Sequence, residues 1–255
     1  MLHAPEVAIS LNGLTPGAER PWKSTTAEGC AWVRDRRVRG VALDAGRPDL
    51  RARDLGRSAR RDIGAMLRRT ELELTGIDLW IPAEHFVEPD KSQRAMETLF
   101  QTLGLAMELA RLAGGRSRPL VSVNLPRSLP ESERAAIAAY ADRHGSIVAD
   151  HTPEEENEPR GPLVVGVDPA SCLIAGVKPE ARVHGAGALR LTDANSMGRC
   201  PVGAEGARLD LGAYAAACVV SGQRWIIADA RGVPDGARAV SAALAAWGAA
   251  TVLPG

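Results

Sequence analysis

Five carboxylates stand where short apolar runs stop. Asp44 ends Gly40-Val41-Ala42-Leu43, Asp150 ends Ser146-Ile147-Val148-Ala149 and Asp168 ends Leu163-Val164-Val165-Gly166-Val167. Asp193 follows Ala188-Leu189-Arg190-Leu191-Thr192, and Asp229 ends Arg224-Trp225-Ile226-Ile227-Ala228. Valine- and isoleucine-rich runs suit strands covered on both faces. Pro169 cannot donate to a ladder, so its strand stops at Asp168. Acids gathered at the ends of parallel strands do acid and base chemistry or hold a divalent cation. His151, next to Asp150, is a candidate base, with a hydrogen-bonded structural histidine as the alternative. Glu84 and His85 follow the third strand and can touch a substrate from the rim, or form a loop surface pair. The glycine-rich stretch from Gly198 to Gly206 carries Arg199 and reads as a lid over an anionic group or as a flexible linker.

Other chemistries have no support in the residues. There is no G-x-G-x-x-G, Walker loop, G-x-S-x-G or H-E-x-x-H motif, so no nucleotide cofactor is expected. Cys30, Cys172, Cys200 and Cys218 are scattered without C-x-x-C spacing, which reads as reduced thiols in a cytoplasmic protein. Lys+Arg and Asp+Glu balance at 31 each and aromatics make up 4%, which argues against a general nucleic-acid or acidic-membrane surface. Met1 to Ser10 lacks the pattern of a signal peptide, and no apolar stretch approaches the roughly 20 residues needed to span a bilayer.

The elements that must position these side chains alternate along the chain. Strands are expected at 7–11, 40–45, 72–80, 120–126, 146–151, 163–167, 188–194 and 224–230. Helices are expected between most of them, at 27–37, 58–69, 130–144, 170–175, 211–220 and 236–249. The clearest helical period is Met96, Leu99, Phe100, Leu103, Met107 and Ala110, which predicts a core-facing helix capped by Asp90 and ended by Gly114-Gly115. Parallel strands need crossovers, and about eight such units in 255 residues is the size of a (β/α)8 TIM barrel, read as one compact domain over residues 1–255. A doubly wound open sheet is the alternative. The acidic, proline-flanked stretch 152–162 is too short for a full crossover helix, so the helix after the fifth strand is expected to be shortened or missing.

The chain resembles the xylose isomerase-like TIM barrels, the group holding sugar-phosphate isomerases and epimerases and type 2 AP endonucleases. The resemblance is carried by Ile81-Pro82-Ala83-Glu84-His85-Phe86, Gly166-Val167-Asp168-Pro169-Ala170-Ser171, Leu189-Arg190-Leu191-Thr192-Asp193-Ala194 and Leu209-Asp210-Leu211-Gly212-Ala213-Tyr214. It implies one divalent ion (Mn, Mg or Zn) held by a Glu, an Asp, a His and a Glu on the fifth to eighth strands. Aligned by strand, this sequence offers Asp150, Asp168, Arg190 and Asp229. The two shortened acids reach about 1.5 Å less than glutamates. Ser171 replaces a further histidine of the pattern. Arginine has no lone pair for a metal, so Arg190 implies a salt-bridge cluster in place of the ion. The alternative is a shifted alignment, with Arg190 pointing outward and His151 or His184 supplying a nitrogen, since neighbouring strand residues face opposite sides.

Two functions follow as expectations. The first is an isomerase or epimerase of a small polyhydroxy carbohydrate, moving a proton next to a carbonyl. Asp150 and Asp229 would be its acid/base pair, Arg190 its electrostatic stabiliser, and Asp168, with Asp150 and Asp229, the remnant of a degenerate metal site. Glu84, His85, His151, Asp193 and Arg199 would contact the substrate. The second is a catalytically silent barrel that binds a sugar-like ligand or a protein partner. DNA work of the AP-endonuclease kind needs more histidines than the five present and a basic groove.

Overall fold

The structure, a computed structural model, describes residues 3–14, 25–115, 118–153 and 161–251. Eight parallel strands close into a barrel: β1 (Glu6–Ser10), β2 (Gly40–Asp44), β3 (Glu73–Asp78), β4 (Leu120–Val123), β5 (Ile147–Asp150), β6 (Leu163–Val167), β7 (Ala188–Leu191) and β10 (Trp225–Ala228), which pairs back onto β1. Among the described residues seven α-helices cover it: α1 (Thr26–Asp35), α2 (Arg57–Arg69), α3 (Ser92–Ala113), α4 (Glu131–Arg143), α5 (Pro169–Ile174), α6 (Leu211–Ser221) and α7 (Gly236–Thr251). The chain is therefore a TIM barrel and not a doubly wound open sheet. Between β5 and β6 the described residues, 151–153 and 161–162, are not helical. The acidic run at 154–160 lies outside the described residues. No helix among the described residues is long and apolar enough to cross a membrane.

Side-chain alternation sorts the strand residues into two sets. Ala8, Ala42, Leu120, Ala149, Ala188 and Ile227 form one buried cluster inside the barrel. Their partners two residues further along point the same way. Those partners are Ser10, Asp44, Ser122, His151, Arg190 and Asp229. The intervening residues, such as Ile9, Val41, Val121, Val148, Leu189 and Ile226, pack outward into the main core under the helices. Inside β6, a Cβ on Gly166 would come within 2.5 Å of the His151 ring, so only glycine there leaves room for the imidazole.

Two local expectations are corrected. Asp90 does not cap α3: the helix begins at Ser92 with Lys91 as its cap residue and no side-chain cap bond. It ends as expected, on Gly114 in the left-handed region at φ 79°. The seventh strand stops at Leu191, and Asp193 opens a separate antiparallel hairpin, β8 (Asp193–Asn195) with β9 (Gly198–Cys200). Part of the glycine-rich stretch is thus ordered as a hairpin at the barrel's carboxyl end.

Candidate functional site

At that end three arginines and three aspartates interlock. Arg190 is fully buried and spans the barrel from β7 to β3. Its Nη1 donates to Asp78 Oδ2 at 3.0 Å, its Nη2 donates to Asp78 Oδ1, and Nη2 also reaches Ser122 Oγ at 2.7 Å. Asp78 further accepts from Ser10 Oγ at 2.5 Å. On its other side Arg190 Nη1 lies 3.6 Å from Asp229 Oδ2. Arg199, carried in by β9, donates from Nη1 to Asp168 Oδ2 at 2.7 Å and from Nη2 to Asp229 Oδ2 at 3.4 Å. Arg231, two residues past Asp229, donates to Asp168 Oδ2 at 2.8 Å. Its guanidinium also lies 3.5 Å from the centre of the Trp80 ring, a cation–π contact. Thr192 Oγ1 at 2.6 Å and Ser171 Oγ at 2.9 Å complete the shell of Asp168.

The charges cancel, three against three, and every buried ion has a partner, as burial demands. Burial works to raise the Asp168 pKa, but Arg199 and Arg231, with the Thr192 hydroxyl, hold it well below the usual carboxylate range. Burial likewise opposes the charge on Arg190, and Asp78 then Asp229 outweigh it, so the guanidinium stays protonated. Arg231 is the least favourably held: burial lowers its pKa, and Asp229 and Asp168 offset only part of that.

The structure places the other sequence-level candidates variously. His151 points inward, with Nε2 3.2 Å from Ser122 Oγ and its ring edge-on to Trp80 at 5.5 Å between centroids. Asp150 points the other way. Its Oδ1 accepts from the backbone N–H groups of Leu125 and Thr152, each at 3.1 Å, and Oδ2 lies 3.4 Å from Arg134 on α4. It fastens loops outside the axis. Asp193 is also turned into its own loop, accepting from the N–H groups of Ala194 at 2.8 Å, Leu209 at 2.9 Å, Arg208 at 3.1 Å and Gly203 at 3.3 Å. Glu84 is exposed and His85 half-buried on a short helical turn past β3, and among the described residues neither bonds to the cluster. His184 is exposed before β7, at the opposite end of the barrel.

Asp78, Ser122, Trp80, Thr192 and Arg231 are members of the network that residue types alone did not single out. A signal was present for two of them: Asp78 ends its strand as the other acids do, and Arg231 shares the side of Asp229. The four cysteines are buried and free. Burial pushes Cys30 and Cys218 up to about 12 and Cys172 up to about 11, so they are inert as nucleophiles at neutral pH.

No family model and no curated protein sequence matches this chain. Solved structures do match. A xylose isomerase domain protein from Planctomyces limnophilus aligns with a TM-score of 0.68 at 15% identity, covering 98% of this chain and 96% of that one. D-Psicose 3-epimerase from Clostridium cellulolyticum H10, solved with D-tagatose, aligns at 0.68 and 11% over 96% and 98% of the two chains. A xylose isomerase-like TIM barrel protein from Mycobacterium smegmatis in complex with magnesium aligns at 0.66 and 9% over 97% of each. The fold is that of the xylose isomerase-like TIM barrels. In this barrel the inward residues at the ends of the fifth to eighth barrel strands are His151, Asp168, Arg190 and Asp229. They do not fit a divalent ion. One donor is a guanidinium without a lone pair, and both carboxylates already accept from arginine. Among the described residues no three His, Cys, Asp or Glu side chains gather as a metal-holding group.

The inward His151 sets a pH dependence. Burial, then the positive field of Arg190, lowers its pKa well below the ordinary histidine value of 6.5; Asp168 opposes this, and Arg231 and Arg199 add to it. The folded protein holds it neutral while the unfolded chain protonates it, so the unfolded state binds more protons below about pH 6.5. Stability is expected to fall as pH drops from there, with a slope approaching about 1.4 kcal/mol per pH unit from this group. Urea unfolding of wild type and His151→Gln between pH 7 and 5 checks it. Equal slopes in the two proteins would refute the assignment.

Proposed function

We propose that this barrel is silent in metal-assisted proton transfer and binds a sugar-like ligand at its strand-end face. The observation that carries the first half is the Arg190–Asp78 pair. It seats a fixed positive charge on the barrel axis, and together with Arg199 and Arg231 it occupies the carboxylates of Asp78, Asp168 and Asp229. An internally paired cluster keeps its carboxylates on guanidiniums and supplies no free base poised at a substrate carbon. The binding half is supported by the fold, which a sugar epimerase solved with D-tagatose shares, and by Trp80 at the mouth, whose half-buried ring can pack on the apolar face of a sugar.

A second reading has one observation on its side. His151 faces the axis with an Nδ1 that has no hydrogen-bond partner among the described residues, so a lone pair is open there, although burial and Arg190 oppose the charge it would gain. It would then serve as the base of a metal-free isomerase or epimerase, in the place sequence spacing assigned to Asp150.

Thermal unfolding of metal-stripped protein with and without millimolar Mn²⁺ or Mg²⁺ tests the first reading. A ligand bound only by the folded state at 100 times its Kd adds about 2.7 kcal/mol, an easily seen rise in Tm. No rise is expected, and a clear one would overturn the metal-free reading. Deuterium exchange from D2O into ketoses and aldoses separates the two readings. Exchange that disappears in His151→Gln would establish turnover, and none is expected.

A further inference from the structure

A cleft of about 320 Å³ opens beside the axis, between the ends of β2 and β3 and the flank of α3. It lies beside the arginine cluster and meets it through Trp80 and through Asn12, whose backbone N–H donates to Ser10 Oγ at 3.0 Å. Three strand ends furnish its floor: Asn12 after β1, Asp44 on β2 and Trp80 after β3, with Gln101 of α3 opposite. Asp44 is mostly buried, its Oδ1 accepting from Gly46 N–H at 2.8 Å and its Oδ2 3.9 Å from Arg47. The Trp80 indole N–H is buried without a partner, although one ring face is taken by Arg231.

The rim differs in chemistry. Arg51 and Arg94 line the cleft from its exposed side, and neither side chain has a hydrogen bond or ion pair among the described residues. Arg53, also on the lining, lies 3.5 Å from Asp54. The cleft thus joins a floor of hydroxyl-binding groups (a carboxylate, two amides and an indole) to a rim of two free guanidiniums. Guanidinium forks match phosphate and carboxylate oxygens. The volume sits at the small end of ligand pockets, roughly 300–1,000 Å³, which suits a ligand of monosaccharide size.

We propose that this cleft binds a small polyhydroxy anion, its hydroxyls on Asp44, Asn12 and Gln101 and its phosphate or carboxylate on Arg51 and Arg94. The proposal rests on the sugar-binding reading above and narrows its ligand. Isothermal titration of the full chain with glucose, glucose 6-phosphate, glucuronate and inorganic phosphate tests it. Saturable binding of one sugar anion at least tenfold tighter than glucose is expected, weakened tenfold or more in both Arg51→Gln and Arg94→Gln and unchanged in Arg143→Gln, an exposed arginine of α4 outside the cleft. The two sugar anions distinguish phosphate from carboxylate as the partner. Glucose binding as tight as its anions, or binding indifferent to Arg51 and Arg94, would overturn the anion site and leave the sugar-binding reading standing. Inorganic phosphate binding as tightly as glucose 6-phosphate would overturn the polyhydroxy part. Failure of all four probes would overturn both this proposal and the sugar-binding reading. The variants are at exposed positions, and an unchanged Tm confirms that they fold.

Discussion

Replacing Arg190 by methionine is expected to lower the unfolding free energy by about 3–5 kcal/mol, the usual cost of removing one partner from a buried ion pair. The side chain is fully buried, and three groups depend on it: Asp78, Ser122 and Asp229. Without it Asp78 keeps only the Ser10 hydroxyl, and its buried carboxylate is left without a counter-charge. At about 2–4 °C per kcal/mol for a chain of this size, Tm should fall by roughly 6–20 °C. The double variant Arg190→Met, Asp78→Leu should cost less than the sum of its single changes, because it removes both charges and leaves none stranded. Strict additivity would mean that the pair carries no coupling. Arg190→His asks a related question, whether one residue closed the metal site. No Mn²⁺-dependent stabilisation is expected, because Arg199 and Arg231 still hold Asp168 and Asp229. A gain with Mn²⁺ would show that Arg190 alone excluded the ion.

Asp168→Asn is expected to cost a similar amount, about 3–5 kcal/mol, and to loosen the β8–β9 hairpin. Asp168 accepts four side-chain hydrogen bonds, from Arg199, Arg231, Thr192 and Ser171. The change leaves two guanidiniums to share Asp229, and it puts an amide N–H₂ where at least one donor already points. Arg199 is the tie between the hairpin and the barrel: besides Asp168 it reaches Asp229 and, through Nε, the Arg231 carbonyl at 2.8 Å. Amide hydrogen exchange reads the result directly. Residues 193–200 should lose protection while β6 and β7 keep theirs. Retained protection in the hairpin would mean that its own ladder and the four N–H groups on Asp193 suffice to hold it.

Much of this architecture was legible along the chain. Apolar runs ending in acids, separated by helical periods, specify parallel strands with crossovers, and eight such units close a barrel. Residue chemistry alone also says that Arg190 cannot ligate a metal, since a guanidinium is protonated at any ordinary pH and has no lone pair. Tertiary structure decided which side chains meet. Strand residues alternate sides, so one position separates an inward side chain from an outward one. Spacing favoured Asp150 on the fifth strand, yet the pairing of β5 with its neighbours turns His151 to the axis and Asp150 to α4. Asp193 looked like a strand-end acid, but the backbone leaves the barrel after Leu191, and its carboxylate serves the loop. The partner of Arg190 lies 112 residues away, on the far side of the barrel. Only closure of the sheet brings β3 and β7 face to face, and no local pattern encodes a contact made across the axis.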